Sequence, residues 1–307
     1  MSWPGRCGVS HVASVRRFLL VSLSVLVAVC AGCASSSTSR GLFAPNSATK
    51  TGFSDVPPRS VEELSARYYQ GERNFDGVAL ARANLAGKKL TRASFRDADL
   101  RGADLRGLEC DACDLSGADL RQAQLHSAYL ANANLQRAKL DDADLYEIVL
   151  QGADLSKASL DRANLNRANL QHTDLSEAQL REVNLHDAAL QAAVLRDADL
   201  SGSNLHCAAL PDADLDDANL TATNLASADL AHAYLHAAKL DNAWLCQSLL
   251  THANLEGASL QGSHFSEQTS FPEGFVATAA GATHDPQCSE ARFLSGCERA
   301  HGVEAPR

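Results

Sequence analysis

The sequence has few aromatic residues and lacks the short motifs that mark common catalytic sites. Phe, Trp and Tyr make up 5% of its 307 residues, so a core has to be built mainly from Leu and Ala. No GxSxG, GxGxxG, P-loop or HExxH pattern occurs. These patterns accompany nucleophilic hydrolysis, dinucleotide binding, nucleoside triphosphate binding and zinc-dependent proteolysis. We therefore expect a protein that is not an enzyme and that uses no cofactor.

Basic residues are also fewer than acidic ones. The formal net charge is −10 at pH 7. An acidic chain repels the phosphates of nucleic acids and the headgroups of anionic bilayers. On the basis of charge, we therefore expect a protein partner and not a nucleic acid.

The apolar run near the N-terminus is short. Residues 18–29 form a run of about 12 residues, which is too short to span a bilayer comfortably but suits the apolar region of a signal peptide. Arg16 and Arg17 precede the run, and Cys30-Ala31-Gly32-Cys33 ends it. This segment, 1–33, resembles a bacterial lipoprotein signal peptide. An ordinary cleaved secretory signal is the alternative.

The resemblance implies cleavage before Cys33 and lipid attachment to its thiol. It predicts a lipid-anchored protein of the bacterial cell envelope, with the membrane as a partner through the anchor. Because Ala34 rather than Asp follows Cys33, the outer membrane or the periplasmic face is expected if the cell is Gram-negative. Residues 34–59 are rich in Ser, Thr, Gly and Pro, which predicts a flexible tether.

A strict period of five dominates the rest of the chain. From Phe75 to Phe265, every fifth residue is a large apolar one: 35 of these 39 positions are Leu, three are Phe and one is Cys110. Two residues earlier stands a small residue, Ala in 27 of the 39 cases. Internal repeats of this regularity indicate a solenoid or a related repeat architecture.

Neither a helix nor a straight strand accommodates this period. A helix would spread the leucines around its whole circumference, and a strand would turn alternate repeats outward. Both apolar positions can face inward only if the chain bends once per repeat, at the two residues after each Leu, which are often turn formers. A quarter turn per repeat closes a coil in four repeats.

The units, such as Ala153-Asp154-Leu155 and Ala163-Asn164-Leu165, resemble the pentapeptide-repeat family. The resemblance implies an all-β solenoid, namely a right-handed quadrilateral parallel β-helix of about ten coils over residues 73–275. Some members of this family are acidic rods that mimic DNA and inhibit a topoisomerase. The resemblance therefore implies a DNA mimic as an alternative function for this chain. Ser60 and Glu63 predict a capping box, and 60–72 a short helix that covers the first coil. Residues 276–307 form a C-terminal tail.

Three sets of side chains are candidate sites. Tyr129, Val149 and Leu249 lie in the least polar of the four outward columns and predict an interface with a partner or a second copy. His186, His206 and Cys207 fall on adjacent coils and could hold zinc or copper, which makes a weak metal-binding module a further alternative. Cys288 and Cys297 are expected to form a disulfide. The preferred function is a structural or protein-binding scaffold, with the identity of the partner and a homodimer left open.

Overall fold

The computed structural model describes residues 56–289. The signal segment 1–33, including Cys33, and most of the tether therefore lie outside the described residues, as does Cys297. One α-helix, α1, runs from Val61 to Tyr69 and lies inside the predicted segment 60–72. None of the helices within 56–289 is both long enough and apolar enough to cross a membrane.

Helix α1 begins with a modified capping box. The hydroxyl of Ser60 accepts a hydrogen bond from the backbone N–H of Glu63 at 3.2 Å, as expected for an N-cap. The Glu63 carboxylate reaches back to the N–H of Arg59 at 2.9 Å, one residue earlier than in the usual capping box. Two N–H groups at the start of the helix are thereby satisfied.

Helix α1 packs against the first coil of the solenoid. Leu64 is fully buried, and Val61 and Tyr68 pack against the same core. Arg67, in the last turn, forms a two-pronged ion pair with Glu72, with both nitrogen–oxygen distances 2.6 Å and both side chains largely buried. The pair ties the end of the helix to the start of the repeats.

The bend predicted in each repeat is a β-turn. In the repeat of Leu165, the N–H of Ala168 donates to the carbonyl of Leu165 at 3.0 Å, and Arg167 has φ of 60°. Positive φ at the third turn position is typical of a type II turn. The same conformation recurs at every fifth residue from Gly77 to Gly262, so the bend is a property of the repeat and not of glycine.

Successive coils pair as parallel strands with a spacing of 20 residues. Leu165 N–H donates to the Asn184 carbonyl at 2.7 Å, and Asn184 N–H donates to the Ala163 carbonyl at 3.0 Å. Isolated parallel bridges repeat this offset from Asn74–Ser94 onward. An offset of 20 residues is four repeats, so each coil has four sides, as predicted.

The outward Asp or Asn before each Leu satisfies a backbone donor that the coil pairing leaves unused. Asn164 Oδ1, for example, accepts from the N–H of Asn166 at 3.3 Å, an Asx turn. Where this position is not Asp or Asn, an Asp one coil earlier can take over: Asp76 Oδ1 accepts from the N–H of Arg96 at 3.0 Å, above Ser94. The preference for Asp and Asn in the repeat therefore follows from backbone hydrogen bonding.

Leu and Ala fill the interior of the solenoid. Leu165, Leu185 and Leu205, which stack on successive coils, are all at most 1% exposed. At a few inward positions a hydroxyl replaces Ala and bonds to the coil below; Thr173 Oγ1 donates to the Leu150 carbonyl at 3.0 Å. The packed interior leaves the outer faces as the surfaces available for contact.

The C-terminal end closes with aromatic rings. Phe265, Phe271 and Phe275 form consecutive ring contacts at 5.4 and 5.5 Å and pack against the core. Strand β1, His264–Phe265, pairs in parallel with β2, Thr283–His284, and a 3-10 helix follows at Pro286–Ser289.

The disulfide expected between Cys288 and Cys297 is corrected by the structure. Cys288 is bonded to Cys246, with a Cα–Cα distance of 5.5 Å. The reason is the path of the tail, which returns over the outer side of the last coils and places Cys288 beside Cys246. Cys110 and Cys113 form a local disulfide with Cα atoms 5.3 Å apart.

Candidate functional site

The column predicted as an interface forms a continuous outer face. Parallel bridges join Tyr129 to Val149 and continue through Asn169, Ala189 and beyond to Leu249. Tyr129 is 42% exposed and Leu249 is 44% exposed, whereas Ala189 midway between them is 9% exposed. Two apolar side chains therefore project at equal intervals, three coils on either side of a flat centre.

A second column beside the first is also nearly free of charge. It lies at the corner directly after each inward Leu, and its residues follow one another by coil-to-coil hydrogen bonds. We call the two columns together the charge-poor face, which consists of Tyr129, Val149, Asn169, Ala189, Ala209, Asp229 and Leu249 in the outward column and of Ala131, Gln151, Gln171, Gln191, Pro211, Ala231 and Thr251 in the corner column. Asp229 is its one charged member, and its carboxylate accepts a hydrogen bond from Ala231 N–H at 3.0 Å.

The charge-poor face also departs from the backbone hydrogen-bonding rule of the repeat. Because Tyr129, Val149, Ala189 and Leu249 replace Asp or Asn, the N–H groups two residues later have no Asx acceptor. In the part of the chain that the structure describes, the N–H groups of Ala131, Gln151, Gln191 and Thr251 donate no hydrogen bond.

Two further details single out positions in the corner column of this face. Pro211 has no N–H to satisfy. In addition, Gln191 Oε1 is buried without a hydrogen-bond partner. Buried polar atoms normally have partners, so each exception needs an explanation.

The opposite side of the solenoid, two repeats away, is strongly charged. Its corner column carries five charges in succession, at Arg101, Arg121, Asp141, Asp161 and Arg181. Arg121 donates to Asp119 at 2.6 Å and Arg101 donates to Asp99 at 2.7 Å. These hydrogen bonds hold the pKa values of Asp99 and Asp119 below their usual range. Charge is thus the ordinary state of the surface, and its absence from one face is a local feature.

Charge also differs along the chain. Residues 56–139 contain 13 Lys and Arg against 11 Asp and Glu, a formal net charge of +2. Residues 140–289 contain 6 Lys and Arg against 22 Asp and Glu, a formal net charge of −16. The acidity predicted for the whole chain is therefore concentrated in the C-terminal coils.

The three residues predicted as metal ligands lie together. Ligand atoms of His186, His206 and Cys207 all fall within 4.8 Å of one another, and the two imidazole centroids are 5.2 Å apart. Burial, and then the charge of His186, lower the pKa of His206, which favours the neutral form that binds metals. However, Cys207 is disulfide-bonded, so its sulfur is not present as a thiolate. Metal binding stays a prediction, which calorimetric titration with zinc would test.

Sequence reasoning found the outward column but missed the corner column and its unpaired backbone donors. The available signal was the alignment of residues 20 apart at the position after each Leu, where Ala, Gln and Pro replace charged residues. The buried oxygen of Gln191 could not have been found in this way, because it depends on the side-chain conformation.

The repeats match the family described as pentapeptide repeats. Eight copies match over residues 74–107, 109–146, 148–187, 178–217 and 213–251, which is more than half of the chain. The chain belongs to the pentapeptide-repeat family. Members of this family are right-handed quadrilateral β-helices, the fold class that the resemblance of the repeats implied.

Solved structures of the same family are similar to this chain. HetL, a pentapeptide repeat protein involved in heterocyst differentiation regulation from the cyanobacterium Nostoc sp. strain PCC 7120, is 32% identical, with 66% of this chain and 94% of HetL covered and a TM-score of 0.32. The pentapeptide repeat protein alr5209 from Nostoc PCC 7120 is 35% identical over 36% of this chain and 84% of that chain, with a TM-score of 0.23.

A more distant similarity is to QnrB1, a plasmid-mediated fluoroquinolone resistance protein. It is 19% identical over 64% of this chain and 91% of that chain, with a TM-score of 0.31. At this identity the likeness concerns the fold alone. A comparison with curated proteins found no match.

Proposed function

We propose that this pentapeptide-repeat protein is a non-enzymatic scaffold, lipid-anchored in the bacterial cell envelope, that binds protein through its charge-poor face. The observation that supports the proposal is the charge-poor face itself. Depletion of charged side chains and enrichment of aromatic ones are typical of the centre of a protein interface. The exposed Tyr129 and Leu249 are suited to act as apolar anchors in pockets of a partner.

The scaffold role follows from the rigidity of the solenoid. Each coil is fastened to the next by backbone hydrogen bonds at all four sides, and the interior is filled by Leu and Ala. A face built in this way presents its side chains in a fixed register of about 4.8 Å per coil. Binding then orders few additional groups, which keeps the entropic cost of association low.

The envelope anchor rests on the sequence around Cys33. A lipidated thiol at this position would hold the solenoid at a membrane surface, with residues 34–59 as the tether. Labelling cells with a palmitate analogue should mark the wild-type protein in the membrane fraction. The Cys33→Ser variant should be unlabelled and released, and labelling that persists in this variant would refute the anchor.

Site-specific photo-cross-linking in living cells tests the interface. A photoreactive amino acid at Tyr129 should give a discrete cross-linked species, whereas the same amino acid at Gln179, on the opposite face, should not. Equal cross-linking from both positions, or none from Tyr129, would argue against a dedicated face.

A second candidate is a DNA mimic that inhibits a topoisomerase. The net charge of −16 on residues 140–289 favours it, because a rigid acidic rod can occupy a basic groove built for DNA. Purified protein should then inhibit DNA supercoiling by gyrase, with an effect that weakens as salt is raised. Absence of inhibition at low salt would exclude this candidate.

A further inference from the structure

We propose that the charge-poor face binds a second copy of this chain, packed face to face and antiparallel, with the two-fold axis at the coil of Ala189 and Gln191. The proposal deepens the proposed function, because it rests on the same face and names its occupant. Three independent features of the described residues lead to this arrangement: the spacing of the exposed apolar side chains, the unused hydrogen-bonding groups of Gln191 and the distribution of charge along the solenoid.

The first feature is the symmetry of the apolar side chains about Ala189. Tyr129 lies three coils before Ala189 and Leu249 lies three coils after it, and both are exposed. A two-fold axis that lies across the face at Ala189 reverses the order of the coils. It therefore places Tyr129 of one copy over Leu249 of the other, at both ends of the contact. Ala189, nearly buried and small, lets the two faces approach at the centre.

The second feature is the pair of unused groups on Gln191. Its backbone N–H donates no hydrogen bond within the described residues, and its Oε1 is buried without a partner. The same axis keeps the corner column on the same side in both copies, so Gln191 meets Gln191. Rotation of the amide would let each Oε1 accept from the other copy. Gln191 thus carries both an unused donor, its backbone N–H, and an unused acceptor, its Oε1. A two-fold contact pairs each of them with the other copy of the same residue.

The third feature is the charge along the solenoid. In a parallel pair, the two segments of net charge −16 would lie side by side and repel each other. With the two-fold axis at Ala189, the antiparallel pair places residues 239–289 of one copy, with 1 Lys against 5 Asp and Glu, alongside residues 89–139 of the other copy, with 8 Lys and Arg against 7 Asp and Glu. Residues 140–238 face themselves in either arrangement, so the antiparallel pair lowers the repulsion at the two ends of the contact. The charge-poor face is the side on which two acidic chains can approach with the least repulsion.

The size of the contact sets its strength. Six coil spacings of about 4.8 Å separate Tyr129 from Leu249, so the face is about 29 Å long. With a width of roughly 12–15 Å, two such faces bury roughly 700–900 Å² in total, which is below the range of stable interfaces and typical of a weak contact. The dimer is expected to be weak and reversible in dilute solution. Confinement to a membrane by the proposed anchor would raise the effective concentration.

Charge substitutions at Gln191 test the axis. The full chain in detergent is compared by sedimentation velocity over a range of concentrations as wild type, Gln191→Glu, Gln191→Lys and an equimolar mixture of the two variants. Each variant alone should weaken self-association at least tenfold, because like charges would meet at the axis. The mixture should restore it, because Glu would then face Lys. Gln179→Glu, on the opposite face, is the matched control and should leave self-association unchanged.

The outcomes separate this inference from the proposed function. A wild-type chain that stays monomeric, or a Gln191→Glu variant that associates normally, overturns the dimer. Weakening by both single variants without restoration in the mixture also overturns it, because residue 191 then does not meet its own copy. If the dimer fails but Tyr129 still cross-links a different envelope protein in cells, the face binds protein as proposed and only its occupant was wrong.

Discussion

Removing the side chain of Leu64 should open the first coil of the solenoid. Leu64 is the fully buried residue of helix α1 and joins the same core as Phe75. Leu64→Ala deletes three carbon groups, worth about 2.4 kcal/mol in transfer free energy at about 0.8 kcal/mol each. The cavity left behind adds to this, and measured Leu→Ala changes in cores run from about 2.7 to 5.0 kcal/mol. Because α1 lies at the end of the solenoid, where neighbouring side chains can relax into the cavity, we expect a loss of about 3 kcal/mol in the free energy of opening.

The loss should be local before it is global. A solenoid is held by contacts between neighbouring units, so an uncovered end frays first. Hydrogen exchange of the first-coil amides reports on this directly; the N–H of Phe75, for example, donates to the Ser94 carbonyl at 2.7 Å. Exchange there should accelerate by roughly 100-fold, as about 3 kcal/mol implies. Amides of the central coils, such as that of Leu165, should be much less affected.

Tyr69→Ala is the matched control for this experiment. Tyr69 lies on the same helix and is a larger side chain, but it is 79% exposed. Its removal should change the opening free energy of the first coil by at most about 0.5 kcal/mol, as is usual for surface sites. If Leu64→Ala and Tyr69→Ala accelerate exchange equally, α1 does not cover the core and the capping interpretation is wrong.

Three further predictions concern the stability of the solenoid. Glu72→Gln should lower the free energy of unfolding in urea by roughly 2 kcal/mol, because it removes the carboxylate that makes the two-pronged ion pair with the largely buried Arg67 and leaves the longer contact to Glu63, at 3.5 Å, as an ion pair; an unchanged midpoint would contradict this. Hydrogen bonds from Arg101 and Arg106 lower the pKa values of Asp99 and Asp104 in the folded protein. The stability that these aspartates add is therefore fully present above their unfolded pKa of about 3.9 and is lost as the pH falls through their lower folded pKa values. Urea midpoints should therefore fall between about pH 5 and pH 2, by a small amount since the arginines are half exposed, and should not rise. Ala192→Gly should stabilise the protein by roughly 0.5 kcal/mol, because Ala192 has φ of 52°, a left-handed conformation that glycine adopts more readily. Gly102→Ala should destabilise the protein by a similar amount, because φ is 61° at this position. The added Cβ would meet only Arg82 Cγ, at 3.5 Å, so the effect comes from the backbone conformation.

The fold could be predicted from the sequence because the period of five leaves one solution. Leu and the small residue two positions before it can share an interior only if the backbone turns once per repeat, and the turn after Leu165 does so. The capping helix was predictable for a similar reason, since Ser60 and Glu63 are a local signal that needs no distant contact.

The partner of Cys288 could not be predicted in the same way. Its distance in sequence from Cys297 is short, but the disulfide depends on where the tail returns to the solenoid, and that path places it beside Cys246. The unused groups of Gln191 were equally out of reach, because they become visible only when the hydrogen bonds of neighbouring coils are known.

In a repeat protein, the positions most informative about function are those that depart from the repeat at a physical cost. An outward Asp or Asn satisfies a backbone N–H, as Asn164 does for Asn166, so replacing it with an apolar residue removes a hydrogen bond as well as a charge. Tyr129, Val149, Ala189 and Leu249 make this replacement in one column. Each missing bond is tolerable where water reaches the donor, but four of the seven positions in the corner column present an unused donor beside an apolar face. A partner that supplies acceptors in the same register would satisfy them, and a copy of the same solenoid has that register.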